Sequence, residues 1–251
     1  LNKEAFVSDD KIKAGSPAMG KRFLAEKAAE GEAAFSSHGA VNKTGILTLI
    51  LVIGAALAWH DPAGFAPALI PVLIVNLILA LVIIFVPTTA VFLAPVYALM
   101  EGILLGVISS VYEGLYQGIV FQAALGTSLV LLVMAGGYAT GILKFGQRGR
   151  SVIIAATLGL SLVYLVSMLM GAFGHPVGFI HDSGPWGIAF SVAALVIAAL
   201  NLSLDFDFMA YAEQEGLSKK MEWYAGFAVL ITLVWIYLEM LRLMSKLRGK
   251  K

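Results

Sequence analysis

The first 43 positions are polar and show no sustained apolar period, and from Thr44 onward the chain changes character. Seven apolar stretches follow, at about 44–59, 66–86, 91–111, 118–143, 151–173, 186–204 and 223–244. A bilayer-crossing helix needs roughly 20 mostly apolar residues, so each stretch predicts one span. The first is short and uses Trp59 as an interfacial anchor. Apolar runs also occur as core helices of soluble proteins, but seven in succession, separated by very short turns, argue against that here. The turns carry the expected punctuation: His60-Asp61-Pro62 with Gly64, then Pro87-Thr88-Thr89, then Glu113-Gly114 with Gln117. A basic turn follows at Gly146–Arg150, a Gly/Pro loop at 174–185, and a charged turn at Ala212–Lys220. The predicted fold is all-α: a polar tail over 1–43, with one short helix near Lys21–Glu32, then a seven-helix transmembrane domain over 44–251.

Composition agrees with that pattern. The chain is 59% hydrophobic and 13% charged, where a soluble domain has about 45–50% apolar and about 25% charged residues. A net charge of +1 gives no electrostatic case for nucleic acid. Cysteine is absent, which removes disulfides, thiol catalysis and Cys-ligated metal. The Lys/Arg bias of short loops predicts the N-terminus inside, with twelve basic residues on that side. Seven spans would then leave Arg242, Lys246, Arg248, Lys250 and Lys251 outside, against the bias, unless the last segment enters and returns rather than crossing. Gly102 with Gly106 and Gly137 with Gly141 have the small-residue spacing that lets helix backbones approach in lipid, as internal seams more often than dimer faces.

The charges within the spans are informative because they are nearly all acidic. Residues 44–143 contain no Lys or Arg, yet Glu101 lies in the middle of the third stretch. A carboxylate at the bilayer centre costs at least about 2.5–3.5 kcal/mol, so Glu101 must be protonated, hydrated, or paired with another span. Asp205 and Asp207 stand two apart at the end of the sixth stretch, so they cannot share a helix face. Glu239 and Arg242 are spaced to pair on one face of the last helix, and Glu222 beside Trp223 fits an interfacial anchor at its start. Acids without basic partners call for a cation or a proton. Hard cations such as Ca²⁺ take carboxylate, carbonyl and water oxygens, and two carboxylates brought close share a proton. His175, His181 and Asp182 have weak metal spacing. No nucleophile–base pair or cofactor motif stands out, so an enzyme is not expected, nor any cofactor beyond a bound or transported ion.

These residues resemble the Bax inhibitor-1/YccA membrane proteins, the transmembrane Bax-inhibitor-motif family, and within it the bacterial branch with a longer polar tail. The resemblance rests on Asn42-Lys43-Thr44-Gly45, on Ala94–Gly102 with Gly106, and on His181-Asp182-Ser183-Gly184-Pro185 through Leu204-Asp205-Phe206-Asp207-Phe208. It continues in Met221-Glu222-Trp223-Tyr224 through Trp235-Ile236-Tyr237-Leu238-Glu239. It implies seven helices with the last one central in a bundle of six, in a bacterial cytoplasmic membrane. It also implies a pH-sensitive Ca²⁺ leak gated by acids on helices six and seven. Asp205 takes the aspartate position, Asp207 replaces a glutamine, and Glu239 replaces an aspartate. The acid and arginine expected on helix two are missing: Asn76 occupies a plausible acid position, and Glu101 is the candidate for the extra carboxylate. Arg242 and Glu222 are the candidates for gate or helix-end pairing. The expected partners are lipid, Ca²⁺ and H⁺, in a monomer. The alternative implied by the resemblance is a non-transporting stress-survival modulator that binds a membrane protease, for which the polar tail would be the contact.

Overall fold

A computed structural model describes residues 27–29, 31–174 and 182–249. Among the described residues seven spans, each built on one long helix, are long and apolar enough to cross a membrane, the second counted with the turns from Pro62 onward. The long helices are α1 (Ser37–His60), α2 (Leu69–Phe85), α3 (Ala90–Leu115), α4 (Ile119–Ala139), α5 (Gln147–Ala172), α6 (Pro185–Gln214) and α7 (Met221–Arg248). A helical turn at Pro62–Phe65 and a 3₁₀ turn at Ala66–Ala68 lead into α2. The chain is a multi-pass membrane protein, all-α as the apolar pattern predicts.

The helix ends differ from the hydropathy limits wherever a local cap overrides hydropathy. α1 starts seven residues earlier than its apolar stretch, because the Ser36 hydroxyl accepts the Gly39 N–H at 3.0 Å and caps it. α6 runs ten residues past Leu204. Nothing in 205–214 breaks a helix, and the stop comes at Gly216, which has φ +62 while the Leu217 N–H returns to the Ala212 carbonyl. Glu113, expected in a turn, closes α3, and its carboxylate accepts the N–H groups of Gly118 and Val120 at the start of α4. Gly141 lies beyond α4 in a left-handed turn at φ +82, so Gly137 and Gly141 are not a helix-packing pair. α7 is an unbroken helix of 28 residues, about 42 Å long, which is long enough to cross and has no break at which the chain could turn back.

α7 is the central helix and contributes to all three buried clusters. Met221, Ala225, Val229 and Ile236 pack with Ala198, Leu202 and Met209 of α6 and Met134 of α4. Phe227 and Leu230 pack with Leu47 of α1, Ile83 of α2, and Ala94 and Ala98 of α3. Met240 and Leu241 pack with Ile119 and Ala123 of α4. α2 and α5 turn wide apolar faces outward, as lipid-facing helices do. Gly102 and Gly106 seat α3 directly on α1, where an added Cβ would meet the Leu51 and Ala55 carbonyl oxygens. That pair is an internal seam.

The tail does not form a helix over its described part. Residues 21–26 and 30 of the expected Lys21–Glu32 helix lie outside the described residues, and Lys27 instead makes an antiparallel bridge to Leu217, as Ala34 does to Ser218. This strap lies over the α6–α7 turn. The Phe35 N–H bonds the Leu217 carbonyl at 2.7 Å and the Lys219 N–H bonds the Ala33 carbonyl at 3.0 Å. Lys27 pairs with Glu215 at 3.2 Å and Lys220 with Glu32 at 3.6 Å. The Ala29 N–H, then Lys220 and Ser218, hold the Glu32 carboxyl below its ordinary value. A carboxylate lowered in this way adds stability that is complete above its unfolded pKa and lost as pH falls through the folded one. Acidification below the ordinary carboxylate range should therefore loosen the strap. Hydrogen exchange at the Phe35 and Lys219 amides, corrected for intrinsic rate, should show protection falling with pH in the wild type and staying flat in Glu32→Gln. Parallel loss in both proteins would rule this out.

Candidate functional site

α6 and α7 run antiparallel in a fixed register that places the polar residues. Asp205 on α6 accepts a hydrogen bond from the Thr232 hydroxyl on α7 at 2.7 Å. Two heptads toward the start of α6, the Ser191 hydroxyl accepts from Lys246 Nζ at 2.8 Å, two heptads further along α7. Residues seven apart recur on nearly the same helix face. Thr232, Glu239 and Lys246 therefore form one polar line down the central helix. The same register sets Glu239 opposite the buried Ala198, which offers it no partner.

Glu239 turns instead to α5 and to its own helix. It is 1% exposed. It accepts from the Tyr164 hydroxyl at 2.6 Å and from Trp235 Nε1 at 3.3 Å. Arg242 reaches both of its oxygens, at 2.8 and 3.0 Å. The guanidinium lies 4.8 Å from the Tyr164 ring centre and also donates to the Tyr164 hydroxyl. The pairing of Glu239 with Arg242 is therefore present, with Tyr164 as a third member.

Asp207 faces away from Asp205, as its spacing requires. It pairs with Arg150 at the start of α5 at 2.7 Å and accepts from the Tyr138 hydroxyl of α4 at 2.9 Å. Glu101 sits between α2 and α3, where Asn76 donates to it at 2.5 Å. Glu222 is buried and accepts from the Ser36 N–H and hydroxyl, each at 3.2 Å. It ties the α1 cap to the start of α7. A Cβ at Gly39 would overlap its carboxylate.

Asp205 and Glu239 do not meet. Thr232 and Glu239 are seven residues apart, about 10 Å along α7, and each acid has its own partners. Asp207 and Glu239 have arginines. Among the described residues the partners of Asp205 and Glu101 are neutral, Thr232 for the first and Asn76 with Tyr97 for the second, and neither acid has a cation at ion-pair distance. No local pattern points to a partner for Asp207 or Asp205. Arg150 and Tyr138 are distant in the chain, and Thr232 was hidden in an apolar run, although its seven-residue spacing from Glu239 and Lys246 was visible.

Among the C-terminal basic residues, Arg242, Lys246 and Arg248 have partners on other elements, while Lys250 and Lys251 lie outside the described residues. Lys246 is buried and also donates to the Gly187 carbonyl at 2.9 Å. Arg248 donates to the Gln117 carbonyl at 2.8 Å and to Gln122 at 2.7 Å. Arg242, Lys246 and Arg248 thus serve helix packing, which weakens their vote on orientation. Among the described residues no three His, Cys, Asp or Glu side chains gather as a metal site. His175 and His181 lie outside the described residues.

A family model described as Bax inhibitor 1 like matches residues 16–249 of the chain. No curated protein sequence matches it.

Proposed function

The chain belongs to the Bax inhibitor 1 like family, and we propose that it is a pH-sensitive cation leak that passes Ca²⁺, with Asp205 as the group that takes the proton or the cation. The observation that carries this reading is the partner set of Asp205. It is a half-buried acid on the contact between α6 and the central helix, and among the described residues its hydrogen-bond partner is the neutral Thr232 hydroxyl. An acid at this depth is costly unless something balances its charge. Arg150 and Arg242 do so for Asp207 and Glu239. For Asp205 a proton or a cation has that role, and Ca²⁺ suits a carboxylate with hydroxyl and water oxygens.

Glu239 is the second carboxylate of the gate. It lies on the same face of α7 as Thr232, two turns along, and becomes available when Arg242 releases it. Glu101 with Asn76 is a second acid site with a neutral partner, held between α2 and α3. With three C-terminal basic residues engaged in packing, the remaining Lys/Arg bias supports the α1 start on the inner side. The test uses purified protein in sealed liposomes loaded with Ca²⁺. Release should depend on pH, and Asp205→Ala should remove that dependence. No release, or release unchanged in the Asp205→Ala/Glu239→Ala double variant, rejects the reading.

A further inference from the structure

At the end of the bundle where α1, α3 and α7 begin, a cavity of about 300 Å³ opens between Lys43, Val91, Lys219, Lys220, Trp223 and the strap residue Glu32. The apolar stretches of α1 and α7 start beside Lys43 and Trp223. The cavity therefore sits at the level where apolar spans give way to polar chain, the depth at which Trp and Lys anchor to an interface. Gly226 fixes the geometry. Its missing side chain lets the backbone at Lys43 and Thr44 close on α7, where a Cβ would lie 2.9 Å from the Thr44 nitrogen.

The charges do not cancel. Lys220 is paired with Glu32 at 3.6 Å. Lys43 is half-buried and stands 4.9 Å from the Trp223 ring centre, a contact that orients an ammonium without neutralising it. Lys219 is exposed and enters no ion pair among the described residues. Two uncompensated ammonium groups thus face a cleft with Trp223 and Val91 on its apolar side. A compact anion with an apolar continuation fits that arrangement, since lysine binds phosphate oxygens as a point charge. We infer that this cavity binds a phosphate group, and at this depth the source at hand is the headgroup of an anionic phospholipid. The strap supplies one wall, so the site is complete only when residues 32–33 are docked.

The full chain, in micelles holding equal phosphatidylglycerol and phosphatidylcholine, is assayed for bound lipid by native mass spectrometry, with inorganic phosphate titrated in a second arm. Phosphatidylglycerol should be retained selectively, and Lys43→Gln/Lys219→Gln should weaken retention roughly tenfold or more. Lys43→Arg/Lys219→Arg should keep it. Phosphate binding with the same lysine dependence, alongside equal retention of the two lipids, supports the phosphate site and assigns a soluble source. Undiminished phosphatidylglycerol retention in the glutamine variant overturns the inference. So does equal retention of both lipids with no phosphate bound. Should the double variant fail to fold, Lys219→Gln alone carries the same test, because that side chain is exposed and unpaired.

Discussion

Gly102→Val should destabilise the bundle by about 3 kcal/mol or more, measured by reversible unfolding in mixed micelles. The cost comes from where α1 lies. A Cβ at Gly102 would overlap the Leu51 carbonyl oxygen and approach the Leu51 carbon and Ala55 nitrogen at 2.9 and 3.0 Å. These are backbone atoms, and they cannot rotate aside as a side chain would. One turn on, a Cβ at Gly106 would meet the Ala55 carbonyl, and from the other helix a Cβ at Gly54 would meet the Leu99 carbonyl. The seam is thus reciprocal, and a branched side chain at its centre must push two helices apart along their length. Helices in lipid gain little from burial and associate through close packing, so lost contact is not recovered elsewhere. Gly136→Ala is the control, because a Cβ there meets nothing within 4 Å and alanine favours the helix by up to about 1 kcal/mol. A Gly102→Val variant as stable as the wild type would mean that α1 and α3 do not touch at this seam.

The same glycines show what hydropathy could and could not reveal. Seven spans are written in the apolar stretches, because a membrane demands length and apolarity of each helix separately. The Gly102/Gly106 seam was legible for the same reason, since small-residue spacing is a local pattern. Gly137 and Gly141 have that spacing too, but Gly141 lies in a left-handed turn, and only backbone conformation separates the two cases. The strap was illegible because its partners, the backbone of Leu217 and Lys219, carry no sequence signature. The acids are legible one by one, and so is Arg242 as the partner of Glu239, because both lie on one helix; basic groups that reach across to another helix are not. Arg150 looked like a loop residue and Lys246 like a helix end. A charge in lipid is settled by whatever another helix brings within reach, and that is tertiary information. Register narrows the gap: Thr232, Glu239 and Lys246 recur every seven residues, and a polar line on an apolar helix marks the face it turns to its neighbours.

Arg242→Met should destabilise the protein by about 3–5 kcal/mol, the range for removing one partner of a buried ion pair. Glu239 is 1% exposed, and without the guanidinium it keeps the Tyr164 and Trp235 donors but no counter-charge. The loss should come from the stranded carboxylate more than from the missing attraction, and a second substitution separates these. Glu239→Gln/Arg242→Met removes both charges and should recover most of the stability, because replacing a buried pair with neutral groups of similar size is often nearly neutral. Arg242→Lys should fall between them. An ammonium can donate to Glu239 as Arg242 Nη1 does, but it lacks the planar guanidinium face that lies 4.8 Å from the tyrosine ring centre. Function should move differently from stability. If Arg242 holds Glu239 away from the gate, Arg242→Met should raise Ca²⁺ release from liposomes, while the double variant, which lacks the freed carboxylate, should not. A double variant as unstable as Arg242→Met would show that Arg242 acts through packing on Tyr164 alone. Arg242→Met and the double variant leaking equally would remove Glu239 from the gate and leave Asp205 as its one acid on these two helices.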